Sequence, residues 1–335
     1  MAGAASYPVR RPRWVLNYAG RNITADVTTM VTGISYKDKI EHLSDEVEVT
    51  LEDRDRRWQG LWFPVRGDFV ELFIGYGGEE LLDCGDFQVD ELELKGPPDT
   101  FHMKCIAAGI IPSIRTPRSA AYENQTLLQV ANTVAARHGM TVTGAPQNIN
   151  VTWQRLSQRT ETDLNFLRSL ALRHNYDFSI RGQKVIFYAR TPLEQQQSLM
   201  TLMRGGPQIK DFEFKTRTQQ IYRSASVAYL NPAQKQLIAA QAGDSSAPTG
   251  DDLHIVARCE TPQHAQLKAD SALHDANKDQ VTGRIGTEGT ILLCAGVNID
   301  ISGFAAFDGR YHIESSSHRL ERSSGYTTEV EVRKL

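Results

Sequence analysis

The feature that most constrains this chain is a repeated order of strand-forming segments. Gly67-Asp68-Phe69-Val70-Glu71-Leu72-Phe73-Ile74-Gly75 reads as a strand bounded by glycines. Gly85-Asp86-Phe87-Gln88-Val89 follows, and then an alternating segment from Asp99 to Cys105. Near the C-terminus the same order returns: Gly296-Val297-Asn298-Ile299-Asp300-Ile301-Ser302-Gly303, then Gly309-Arg310-Tyr311-His312-Ile313, then Tyr326 to Val332. A strand–turn–strand–strand unit used twice predicts two related β-barrels in one polypeptide. Three such chains present six similar barrels, and six barrels can continue a six-fold tube.

A chain of 335 residues has room for two or three cores. No apolar run reaches the roughly 18 residues of a membrane span. Arg10, Arg11 and Arg13 are not followed by an apolar stretch, so no secretory signal is read and the protein is expected to stay in the compartment that makes it. Cys84, Cys105, Cys259 and Cys294 are far apart with no CxxC pair, as suits reduced thiols. With 37 basic and 40 acidic side chains the net charge is −3, which argues against a dedicated nucleic-acid binder.

Residues 13–112 read mostly as strand. Glu46 to Glu52 alternates strictly, Val47, Val49 and Leu51 on one face and acids on the other. Val70, Leu72 and Ile74 interleave with Phe69 and Phe73, a pattern expected of a strand covered on both sides. From 113 the character changes. Thr126-Leu127-Leu128-Gln129 has capping-box spacing ahead of a helix that Gly139 ends. A second helix is read as starting the same way at Thr160-Glu161-Thr162-Asp163, and a hairpin is expected over 177–188. Residues 241–252 read as a turn-rich loop. Thr261-Pro262 caps a helix over 262–277 that carries Ala265, Ala269, Ala272 and Ala276 on one face. The expected division is a first barrel over 1–112, an α+β insert over 113–207 and a second barrel with one helix over 208–335. The fold class is therefore mainly β with an α+β insert.

No catalytic constellation stands out, and no enzyme activity, cofactor or metal is expected. GxSxG, HExxH and GxxxxGK[ST] are absent. His312, Glu314 and His318 would share one strand face, but spread over about 20 Å at about 3.3 Å per residue they do not converge on an ion. The run from Glu52 to Arg57 alternates in sign, which suits a solvated or subunit-facing loop more than a nucleic-acid contact. Trp58, Trp62 and Phe63 form an aromatic cluster with two readings, a subunit interface or ordinary core.

Gln158-Arg159-Thr160-Glu161-Thr162-Asp163-Leu164-Asn165-Phe166-Leu167-Arg168-Ser169-Leu170-Ala171 resembles the Q-x-x-E-(S/T)-D-x-x-F-L-x-x-L-A segment of the late control gene D proteins of contractile-tailed phages and of the N-terminal half of the type VI spike protein VgrG. Gly309-Arg310-Tyr311-His312-Ile313, His318 and Gly325-Tyr326-Thr327-Thr328 resemble the family's C-terminal signature. The resemblance covers nearly the whole chain, about residues 13–333. Asn175 stands where a glycine is usual, and Asn also tolerates the left-handed conformation.

The resemblance implies a structural baseplate hub: a homotrimer that joins the hexameric tail tube to the trimeric central spike, within the virion tail and assembled in the host cytoplasm. Its implied partners are the tail tube protein, a separate spike protein, other baseplate proteins and a tape-measure protein, with DNA only in transit. DNA in transit argues for a lining poor in Lys and Arg. Glu46, Glu48, Glu52, Glu329 and Glu331 are candidates for that lining, an ordinary solvated outer face being the alternative. Two other functions remain open: the hub of a tailocin or type VI-like secretion device, and a peptidoglycan-binding module, since the insert resembles small glycan-binding βααβ domains.

Overall fold

The computed structural model describes residues 10–40, 45–108, 114, 116–144, 152–231, 235–247 and 250–335. The boundary expected at 112/113 lies outside the described residues, as do residues 248 and 249 of the expected loop. The chain is mainly β with a smaller α+β part, as its sequence predicts.

The N-terminal half-sheet comprises β1 (Pro12–Tyr18), β2 (Arg21–Asn22), a short helix α1 (Thr24–Val27), β3 (Val31–Lys39), β4 (Glu46–Glu52), β5 (Phe69–Tyr76), β6 (Leu81–Lys95) and β7 (Thr100–Ala107). Its pairing order is β3-β4-β7-β6-β5-β1-β2. The alternation seen in β4 places Val47, Val49 and Leu51 in a core with Val70, Leu72, Ile74, Phe87 and Phe101. Only one face of β5 is fully covered, because Phe69 at its start is exposed.

The middle section pairs two strand-then-helix units. β8 (Pro117–Thr126) leads into α2 (Leu127–Ala136), and β9 (Thr141–Thr143) follows; β10 (Thr152–Thr162) leads into α3 (Asp163–Leu172). β8 and β10 are antiparallel partners. Thr126 and Gln129 close the expected capping box. The second cap is Thr162, two residues later than the sequence suggests. β10 stays extended through Thr162 because a bulge between Gln158 and Glu161 absorbs the difference, with Thr160 at φ +47. Asn175 adopts φ +62, the left-handed conformation anticipated for it. The hairpin β11 (Tyr176–Arg181) and β12 (Lys184–Ala189) then runs into α4 (Arg190–Glu194).

The C-terminal part holds β13 (Thr201–Met203), β14 (Ile209–Thr216), β15 (Ser224–Asn231), β16 (Gln236–Gly243), β17 (Asp252–Val256), α5 (Pro262–Asn277), β18 (Val281–Glu288), β19 (Asn298–Ser302), β20 (Gly309–Glu321) and β21 (Gly325–Lys334). Gln241, Ala242 and Gly243, expected in a loop, belong to β16, and Asp252 opens β17. β15, β16 and β17 form a small sheet of their own, and α5 lays Ala265 and Ala269 on it beside Ala225, Val227 and Cys259. The remaining strands pair in the order β14-β18-β21-β20-β19-β13.

That order is the N-terminal order repeated: β3, β4, β7, β6 and β5 correspond to β14, β18, β21, β20 and β19. The match extends to irregularities. Asp90 in β6 and Glu314 in β20 are each the extra residue of a bulge in the ladder with the next strand, and Thr32 in β3 and Lys210 in β14 likewise. Gly67 and Gly296 both sit at positive φ, +91 and +90. Their amides donate to the carbonyls of Val89 and Ile313 at 2.8 and 2.9 Å. The halves depart from each other at the far edge, where β1 meets β5 antiparallel while β13 meets β19 parallel, and in the β5–β6 ladder, whose bulge between Glu71 and Phe73 has no counterpart between β19 and β20.

Among the described residues neither half-sheet closes on itself. Instead β3 pairs antiparallel with the second part of β20, fusing both halves into one 13-stranded sheet.

Candidate functional site

The joint between the halves is built on the division of β20. Its first residues, Gly309 to His312, pair with β19; past the Glu314 bulge, Ser315 to Glu321 pair with Lys39 to Gly33 of β3. His318 is fully buried at this joint and stacks on Tyr36, ring centroids 5.8 Å apart. Ser316 Oγ donates to the Leu293 carbonyl at 2.5 Å, so it accepts from His318 Nε2 at 2.9 Å. His318 Nδ1 then accepts from the Tyr326 hydroxyl at 2.8 Å. Burial pushes this imidazole down to about 4, so it is neutral at pH 7 with the proton on Nε2. Leu320 and Tyr326, from the C-terminal half, belong to the N-terminal core. The β18–β19 loop also leans across the joint, the Ala295 amide donating to Asp38 Oδ2 at 2.9 Å.

The bulge at Glu314 corrects the expectation that His312, Glu314 and His318 share a face. One extra residue reverses the side-chain alternation, so His312 and His318 point to opposite sides of β20. His312 Nδ1 pairs with Asn298 Oδ1 at 2.6 Å, and Asn298 Nδ2 donates to the carbonyls of Leu193, Glu194 and Gln196 at the end of α4. Arg333 binds Glu194 at 2.5 Å and Glu314 at 3.0 Å. These side chains fasten the middle section to the C-terminal half-sheet. Among the described residues no group of three or more His, Cys, Asp or Glu is arranged to hold a metal.

The five acids proposed for a lining fall on one continuous face of the large sheet. Glu46, Lys37, Ser317 and Glu329 form a single row across β4, β3, β20 and β21. The row of Glu48, Ser35 and Arg319 lies beside it, and Lys39, Ser315, Glu331 and Arg284 make another. Glu52 lies on the same side of β4. The face is mixed in sign, with Lys104 3.4 Å from Glu46 and Arg284 3.5 Å from Glu329.

The aromatic cluster divides. Trp58 is buried and stacks on Phe101 with centroids 5.7 Å apart. Trp62 and Phe63 are partly open to solvent, at 37% and 54%, and Leu61 beside them is fully exposed. They rim an apolar hollow of about 590 Å³ floored by Leu16, Val49, Leu51 and Met103. Within the charged run, Asp53 is buried and accepts from the Trp58 amide and Gln59 Nε2, a role the alternating charges concealed.

The recognition segment 158–171 has a structural meaning. Asp163 is completely buried at the start of α3, where its carboxylate meets His138 Nε2 at 2.8 Å, Gln158 Nε2 at 2.8 Å, and Arg118 and Arg137 at 3.4 Å each. Gln158 also donates to the Glu161 carbonyl at 3.0 Å and accepts from Tyr122. Gln158 and Asp163 thus lock the bulged end of β10 to both helices.

No family model matches the chain. Among curated proteins it is 26% identical to the probable baseplate hub protein of Escherichia phage 186 over 198 residues, 58% of this chain and 50% of that one. It is also 26% identical to the probable baseplate hub protein of Escherichia phage P2 over 176 residues, 52% of this chain and 45% of that one. The chain spans about half the length of the curated relatives it matches. Solved structures with this fold include a tail protein from Neisseria meningitidis, TM-score 0.72 at 11% identity, covering 97% of both chains. A 43 kDa prophage MuSo2 tail protein from Shewanella oneidensis gives 0.71 at 15% identity over 96% of this chain and 98% of that one. A type VI secretion component of E. coli gives 0.57 at 13% identity over 91% and 74%. The resemblance to phage hub and VgrG-like proteins is thus borne out in sequence and in fold.

Proposed function

We propose that this chain is the structural hub of a contractile tail: three copies form a ring whose two sheet halves per copy match a six-fold tube, while the unlike insertions keep the opposite side three-fold for a spike. The observation that carries this reading is the duplication, two half-sheets of one order with bulges at the same places, already fused side by side through β3 and β20. A chain that makes one such joint internally needs only a head-to-tail contact, repeated with closure, to make a ring. The similarity to phage proteins described as probable baseplate hubs points the same way.

The role is structural rather than enzymatic, its place is the tail baseplate, and assembly takes place in the host cytoplasm. A tube protein, a separate spike protein and other baseplate components are its neighbours, and a tape-measure protein and DNA pass through. The polar face bearing Glu46, Glu48, Glu52, Glu329 and Glu331 lines the passage. Trp62 and Phe63 serve an interface, and Trp58 anchors them. The division into 1–112, 113–207 and 208–335 belongs to the same proposal. A secretion-device hub uses the same ring, a second reading favoured by the type VI neighbour.

Mass measurement of the purified protein by native mass spectrometry and mass photometry is the test. Three copies per particle is the expected result. A protein that stays monomeric at tens of micromolar rejects the ring.

A further inference from the structure

The internal joint leaves two complementary pieces unused. Among the described residues β14, the counterpart of β3, is hydrogen-bonded to no strand but β18. β6, the counterpart of β20, pairs with β5 only over Leu81 to Gln88, so Glu91 to Lys95 have one edge without a strand among the described residues. We infer that these two edges pair between neighbouring copies, antiparallel, with Glu91 opposite Arg217, Glu93 opposite Lys215 and Lys95 opposite Glu213. This rests on the hub reading and adds the partner strand and the register.

The register is obtained from the matched bulges. Aligning Asp90 with Glu314 equates Glu91, Glu93 and Lys95 with Ser315, Ser317 and Arg319. Aligning Thr32 with Lys210 equates Ser35, Lys37 and Lys39 with Glu213, Lys215 and Arg217. In the internal joint Ser315 faces Lys39, Ser317 faces Lys37 and Arg319 faces Ser35. Carried to the free edges, each of those pairs becomes an acid opposite a base. The charges play no part in that correspondence, which follows from the extra residues of the four bulges alone.

The other face agrees. Tyr36 stacks on His318 in the internal joint, and the corresponding pair is Phe214 with Leu94, an apolar residue 48% exposed in the single chain. Sliding by one residue turns every side chain to the wrong face. Sliding by two in one direction sets Glu93 against Glu213, and in the other sets Lys95 against Lys215; like charges directly opposite are destabilising. In the lone chain, Glu93 and Lys95 pair with each other at 2.7 Å, and Glu213 and Lys215 at 2.9 Å, each within its own exposed strand. The β4–β5 loop that carries Leu61 to Val65 corresponds to the β18–β19 loop that leans across the internal joint, so its exposed apolar residues fall against the same neighbour.

Disulfide trapping in the full chain tests this. The double variant Glu93→Cys with Lys215→Cys is oxidised and run without reductant beside both single variants and a slipped control, Glu93→Cys with Glu213→Cys. The expected result is a covalent ladder up to the trimer for the first pair only. In parallel, Glu93→Lys or Lys215→Glu alone raises the concentration at which trimers dissociate by about tenfold or more, and combining them restores it. A ladder from the slipped control alone overturns the register. A trimer by mass with neither pair trapped and no effect of charge reversal overturns the strand pairing but leaves the hub; a monomeric wild type overturns both.

Discussion

At the scale of single residues, buried histidines set the pH response. Burial lowers His312 and His318 from 6.5 to about 4. Below about pH 6.5 the unfolded chain takes up protons that the folded state refuses, so stability is full near neutrality and falls as the pH drops from 6.5 towards 4. The loss is up to about 1.4 kcal/mol per pH unit for each such histidine. Urea midpoints at pH 7.5, 6 and 5 should decline in that order, and His318→Gln should flatten part of the slope; equal midpoints across the range contradict the assignment. Asp163 gives a second prediction. Asp163→Asn leaves Arg137 and His138 without their carboxylate, at a cost of about 3 kcal/mol or more by chemical denaturation. A loss below about 1 kcal/mol shows that the cluster is dispensable.

Elements differ in how far the sequence revealed them. β4, α2, α5 and the β11–β12 hairpin were legible because local alternation, caps and turn residues declare themselves. The repeat was legible through its glycines, and the matched positions of Gly67 and Gly296 carry a prediction. Both sit near φ +90, where a Cβ meets nothing within 4 Å at Gly67 and only Ile40 at 3.8 Å at Gly296. Alanine at either therefore costs backbone strain alone, about 1–2 kcal/mol, and similar at the two sites by thermal or urea unfolding. Clearly unequal losses would separate the two turns. Bulges were illegible: Asp90 and Glu314 look like any strand residue, which is why strand alternation alone puts His312 and His318 on one face. The second helix cap slipped for the same reason, a bulge in β10. The β3–β20 pairing brings together segments nearly the length of the chain apart, and no local pattern reports such a contact. The candidate site followed suit, its acids readable as one face of each strand but their shared face across the strands visible only in three dimensions.

For the whole molecule, the mixed charge of the polar face makes a prediction about the proposed passage. Acids interleaved with Lys37, Lys104, Arg284 and Arg319 leave little net attraction for a polyanion. Replacing Glu46, Glu48, Glu329 and Glu331 together with lysine should create DNA binding whose affinity falls steeply with salt, while the parent protein shows none at about physiological ionic strength. Equal, salt-insensitive behaviour of both removes this face from the passage. The divided edge of β20 has a mechanical consequence. Because one uninterrupted strand serves β19 at one end and β3 at the other, a pull along it loads the hydrogen bonds of both ladders in shear, together rather than one after another. Sliding one half past the other along β20 therefore requires the bonds of the whole β3–β20 ladder to fail together, which suits the place in a tail proposed for it.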